Sequence, residues 1–176
     1  MGTGCRASCF IGGTHVSETS KQAIALVVCI VVVIAVGNIG TLTTIKATRS
    51  WYAQIQKPAW TPPDWVFGPV WTILFIMMAV AAWLVWRQGG FAAQKLPLTL
   101  FIVQLALNAA WTPIFFGAGW FGVALLEIVL LWCAIVATMI VFRQTRPAAG
   151  WLMLPYLLWV SYASTLNAGI WWLNRK

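Results

Sequence analysis

Five long apolar runs dominate the sequence, at residues 23–45, 66–86, 96–116, 120–142 and 148–173. Each is about 20 residues or more, the length at which a helix crosses a hydrocarbon core of roughly 30 Å. The pattern predicts an all-α membrane protein, a bundle of five transmembrane helices. Composition agrees, with 61% apolar residues and only 8% charged. A soluble domain carries roughly a quarter charged residues, so lipid is the natural solvent for these runs. The net charge is +8, from eleven Lys and Arg against three acids. The bases cluster at the ends of the runs, as flanking anchors and topology determinants do. That placement argues against a nucleic-acid partner. Six bases on the N-terminal side against five on the other lean weakly toward an inside N-terminus.

Residues 1–21 are polar and without periodicity, which predicts a flexible tail. Cys5, Cys9 and His15 lie in it, too few for a convincing metal site. The transmembrane domain is read as 22–176. Its first run is longer than the roughly 7–15 residues of a signal-peptide core, so it reads as a retained span. The one substantial loop, 46–65, holds Pro58, Pro62 and Pro63 with Trp51, Trp60 and Trp65. Its prolines forbid a regular helix, and its tryptophans suit a membrane interface. It is expected to fold over a ligand. The short break Gly117-Ala118-Gly119 makes the third and fourth spans an antiparallel hairpin. No internal repeat of the kind found in transporters is visible.

Thirteen tryptophans are far more than anchoring requires. An aromatic belt accounts for Trp51, Trp86, Trp120, Trp151, Trp171 and Trp172, close to span ends. Trp71, Trp111 and Trp159 fall within spans. Phe67, Trp71 and Phe75 recur at i, i+4 and i+8, one face of a helix. Gln104, Asn108 and Trp111 form a second stripe, and Tyr156, Trp159, Ala163 and Asn167 a third. Amides are costly in lipid, so these faces should point into the bundle. Three such stripes can converge on a flat-walled, sparsely polar cavity suited to a large planar or sterol-like ligand. Ordinary interhelical packing, with the amides as glue, is the alternative.

Asn38 adds a polar group to the first span, and Glu127 is the one acid within the runs. An intramembrane carboxylate is either functional or hydrogen-bonded to a neighbouring helix. No histidine triad, paired-carboxylate site, phosphate loop or metal-ligand cluster is visible, and no metal or cofactor is expected. His15 lies in the tail, so histidine ligation of a haem within the bundle is excluded. Ala106 and Ala110 form a small-xxx-small pair that could bring two copies together.

Several motifs now combine. They are Trp51-Tyr52, Lys57-Pro58-Ala59-Trp60-Thr61-Pro62-Pro63 and Phe67-Gly68-Pro69-Val70-Trp71-Thr72. Further on come Gln104-Leu105-Ala106-Leu107-Asn108-Ala109-Ala110-Trp111-Thr112-Pro113 with Phe115-Phe116-Gly117, then Pro155-Tyr156-Leu157-Leu158-Trp159 and Thr165-Leu166-Asn167. Together, across about residues 23–173, they resemble the translocator protein or tryptophan-rich sensory protein (TspO/MBR) family. The resemblance implies a five-helix bundle, commonly a homodimer in the lipid bilayer. It implies a receptor or sensor whose pocket, under the first loop, takes porphyrins, haem-like tetrapyrroles, sterols or benzodiazepine-type compounds. The family's pocket positions fall on Tyr52, Phe67, Trp71, Phe75, Asn108, Trp111, Trp159 and Ala163. No cofactor is implied; a tetrapyrrole would be a ligand.

The resemblance carries two alternatives. Light- and oxygen-dependent porphyrin breakdown would make Trp71 and Trp159 catalytic, and otherwise the chain is no enzyme. Transport of porphyrin or sterol is the other. In the stretch Leu166-Asn167-Ala168-Gly169-Ile170-Trp171-Trp172, alanine follows the asparagine. Animal members have a tyrosine in their cholesterol-recognition stretch, so its absence favours a microbial-type member. A bacterial membrane is expected, with the mitochondrial outer membrane as the alternative.

Overall fold

The computed structural model describes residues 18–39, 41–48 and 50–175. Every regular element among them is helical. The helices are α1 (Glu18–Gly37), α2 (Thr41–Thr48), α3 (Phe67–Trp86), α4 (Gly90–Ala93), α5 (Lys95–Thr112), α6 (Phe121–Thr145) and α7 (Pro147–Asn174). Four stretches are long and apolar enough to cross a membrane: Thr19–Gly37, Asp64–Trp86, Lys95–Gly117 and Phe121–Thr145. α7 is longer than any of them at 28 residues. Its serines, tyrosines and asparagines lower its hydropathy.

The run expected as one span over 23–45 is two helices. Gly37 is a weak helix former, and Asn38 follows it. The Asn38 side-chain amide donates to the Ile34 carbonyl at 2.8 Å, the same acceptor its backbone N–H uses at 3.0 Å. A side chain competing for helix carbonyls favours termination. The Ile39 N–H then closes a tighter turn on Val36. α1 begins at Glu18, so the helix starts inside the stretch expected to be tail. Cys5, Cys9 and His15 lie outside the described residues.

Apolar periodicity sorts each helix between core and lipid. On α3, Leu74, Met78, Ala79, Ala82 and Val85 are buried while Ile73 and Ile76 are exposed. Ile128, Leu131 and Ile135 of α6 pack into the same core as Met153, Tyr156 and Val160 of α7. Lipid tails are as apolar as leucine, so close packing rather than water exclusion holds such helices together. The turn between α6 and α7 shows how close. A Cβ on Gly150 would come within 2.9 Å of the Arg143 Cα.

α5 does not run straight into the hairpin. Pro113, which has no N–H to donate, opens a π-helical turn over Pro113–Gly117. The Ala118 N–H reaches back five residues to the Pro113 carbonyl at 2.9 Å. Gly119, in the left-handed region at φ +68°, then reverses the chain into α6.

The loop over 50–66 holds two short 3₁₀ turns, Trp51–Ala53 and Asp64–Val66. It is fastened to α7. The Gln56 N–H donates to Asn174 Oδ1 at 3.1 Å, and the Asn174 amide donates back to the Gln56 carbonyl at 2.9 Å. The Tyr162 hydroxyl donates to the Trp60 carbonyl at 2.7 Å. Pro58 lies on Gly169, where an added Cβ would meet the proline ring at 2.5 Å.

Candidate functional site

Beneath the loop lies a cavity of about 390 Å³. All eight residues singled out from the sequence line it: Tyr52, Phe67, Trp71, Phe75, Asn108, Trp111, Trp159 and Ala163. α3 supplies its stripe as the i, i+4 spacing requires, and Trp71 stacks on Phe75 with ring centres 5.3 Å apart. Phe67 meets the α7 indole of Trp159 edge to face at 5.7 Å. Across the cavity Trp111 stacks on Phe115 at 4.8 Å and 20°. Tyr52 closes the loop side, edge-on to Phe116 at 5.2 Å.

The amides divide between the wall and its support. Asn108 donates to the Tyr156 hydroxyl at 3.0 Å, with Tyr156 fully buried behind the lining. The Trp111 indole donates to Asn167 Oδ1 at 3.2 Å. Asn167 in turn donates to the Phe121 carbonyl at 2.9 Å. These bonds fix the α5 wall on α6 and α7. Tyr156 is thus a prop rather than a lining residue, and Gln104 is also fully buried outside the lining. Glu127 is also buried and outside it. The Gln104 amide and the Glu127 carboxyl have no hydrogen-bond partner among the described residues.

One polar lining atom is different. The Trp159 indole nitrogen is shielded from solvent and has no partner among the described residues. A shielded N–H without an acceptor costs free energy. Asp64 is the charged member of the lining, at the loop end. Burial pushes the Tyr52 phenol up to about 12, and the nearby Asp64 carboxylate adds to that shift. The Lys57 ammonium lies 4.1 Å from the centre of the Tyr52 ring, a cation–π contact at the mouth.

Sequence periodicity missed part of the lining. Gly37 of α1 passes directly over the Phe75 ring, with no room for a side chain. Asp64, Phe115 and Phe116 also line the cavity. The Phe115-Phe116-Gly117 motif was a usable signal for two of them, because Phe115 stands four residues beyond Trp111. The fourth-position logic of α5 simply continues into the widened turn. The Ala106 and Ala110 pair lies away from the cavity, and Ala106 is exposed with Val103 beside it on the outer face of α5.

The TspO/MBR family profile matches residues 28–173. The chain is 44% identical over 156 residues to the tryptophan-rich protein TspO of Chlorobaculum tepidum, covering 88% of this chain and 99% of that one. It is 47% identical over 123 residues to the human translocator protein, covering 69% of this chain and 73% of that one. It is 38% identical over 133 residues to the tryptophan-rich sensory protein of Cereibacter sphaeroides, covering 76% and 82% respectively. With its apolar helices and this match over most of its length, the chain is an integral membrane protein of the TspO/MBR family.

Proposed function

We propose that this chain is a membrane receptor or sensor that binds porphyrins and related planar hydrophobic ligands in the aromatic cavity. The observation that carries this reading is the cavity wall: stacked Trp71 and Phe75 from α3, stacked Trp111 and Phe115 from α5 and the turn after it, and the Trp159 indole of α7 edge to face with Phe67. A volume of about 390 Å³ lies in the range of small-molecule sites. Flat rings favour a flat ligand through offset stacking. The N–H of Trp159 supplies one directional bond.

In this reading α7 is the fifth span. Several of its polar side chains are satisfied within the bundle, which lowers their cost in lipid. Ser161 accepts from the Trp132 indole at 2.8 Å and donates to the Leu157 carbonyl. Ser164 donates to Val160, and Tyr156 and Asn167 hold their α5 partners. Two copies would meet through the Ala106 and Ala110 pair of α5, where small residues permit close approach.

A titration of protoporphyrin IX into the purified protein, followed by tryptophan quenching in the dark, tests the reading. Saturable quenching that is lost in a folded Trp71→Phe/Trp159→Phe variant is the expected result. Retained affinity in that variant overturns it. A second reading, light- and oxygen-dependent porphyrin breakdown, is favoured by the placement of both indoles on the same cavity. It requires a new absorbing product that forms under light and oxygen and not in the dark.

A further inference from the structure

A second concavity, of about 740 Å³, opens outward at the loop end of the bundle. Its walls are Pro58 and Trp60 of the loop, Leu125 of α6, and Gly169, Trp171 and Trp172 of α7. It shares no lining residue with the aromatic cavity. Trp60 is 56% exposed and Trp172 is 60% exposed, so the groove presents indole surface to its surroundings.

Two cations border it. Lys57 lines the groove directly. The Arg175 guanidinium lies 3.2 Å from the centre of the Trp172 ring and 5.8 Å from that of Trp171. Among the described residues no acid lines this groove. A guanidinium laid over an indole still directs its rim of N–H donors sideways, the arrangement that suits a phosphate. Indoles with adjacent Lys and Arg also mark the membrane–water boundary. There a basic group near an anionic lipid surface gains about 1 kcal/mol.

We propose that this groove holds an anionic phospholipid, with an acyl chain along Trp60, Leu125, Gly169 and Trp172 and the phosphate between Lys57 and Arg175. A sterol would offer one hydroxyl to two cations. A zwitterionic lipid would bring its own positive charge to them. Because Lys57 also rests on Tyr52, the lipid bears on the loop that roofs the cavity.

The test presents the full chain in detergent with equimolar phosphatidylglycerol and phosphatidylcholine of matched acyl chains. Retained lipid is counted by native mass spectrometry. Phosphatidylglycerol should be favoured by roughly ten- to thirty-fold, about fivefold per cation. Lys57→Gln/Arg175→Gln should erase the preference, with helical circular dichroism and a melting curve confirming the fold. Arg175 follows the last turn of α7, so Arg175→Gln alone serves if the double variant misfolds, with a loss of about fivefold. Equal retention of the two lipids by the native chain overturns the proposal, as does an unchanged preference in the variants. So does a sterol that displaces phosphatidylglycerol without regard to either cation. No porphyrin enters the measurement, so its failure is separate from that of the cavity reading.

Discussion

The Trp111 indole donates to Asn167, and Asn167 donates onward to the Phe121 carbonyl, so one side chain of α7 ties the end of α5 to the start of α6. Asn167 is 1% exposed. Asn167→Ala should therefore destabilise the bundle by about 1–3 kcal/mol, the range for stranding a buried partner. Thermal or denaturant unfolding in detergent measures this. A change under about 0.5 kcal/mol would mean that Trp111 finds another acceptor.

Trp159 offers the opposite case. Its indole N–H bonds to nothing among the described residues, so Trp159→Phe removes no internal hydrogen bond. Stability should stay within roughly 0.5 kcal/mol of the native chain. Affinity for an acceptor-bearing planar ligand should fall about five- to tenfold, the worth of one hydrogen bond. Melting curves and ligand titrations on the same preparation separate the two effects. A large loss of stability with unchanged affinity would reverse the assignment.

The loop should respond to alkali. Its Tyr52 phenol is held up to about 12 by burial, with Asp64 adding to it, against an ordinary value of 10. The folded state therefore holds this proton more tightly than the unfolded state does. The resulting stabilisation is complete below pH 10 and is lost as pH rises from 10 through 12. Melting temperature should fall across that window, and Tyr52→Phe should remove the part of the fall due to the phenol. Identical pH profiles for the two proteins would show that Tyr52 contributes nothing.

Gly169 is the seat of Pro58. Gly169→Leu should lift the loop without touching the cavity wall. Amide exchange over residues 54–62 should accelerate, and a bound porphyrin should dissociate several-fold faster. Exchange rates like those of the native chain would place the fastening in the Gln56–Asn174 and Tyr162–Trp60 bonds alone.

The α3 and α5 stripes were legible in the sequence because helical periodicity survives any tertiary context: Phe67, Trp71 and Phe75 must share a face once the helix forms. The break after Gly37 was not legible. Hydropathy averages across Asn38, and the competing amide bond to Ile34 is a geometric event. Gln104 and Tyr156 fell in the right stripes but lie behind the wall, since a stripe gives direction and not depth. Asp64 stands three residues before Phe67 on the turn that leads into α3, so the α3 stripe reaches one step further than the aromatic residues alone suggest. Helix length was readable for α3, α5, α6 and α7 but not for the first run, and the partners of the α7 serines and asparagines emerge only in the assembled bundle.

The widened turn at Pro113–Gly117 can be viewed as a rotational setting. A π turn holds one residue more than the helix around it, and one residue of α-helix corresponds to about 100° of rotation. With that residue present, Phe115 and Phe116 both line the cavity and Phe115 continues the stack begun by Trp111. Deleting one residue between Pro113 and Phe115 would restore ordinary winding and re-aim both rings, with Phe116 taking the fourth position beyond Trp111 that Phe115 now holds. The shape of the cavity floor therefore depends on chain length at this point as much as on residue type. A same-length exchange of aromatics would be tolerated there far better than a single deletion.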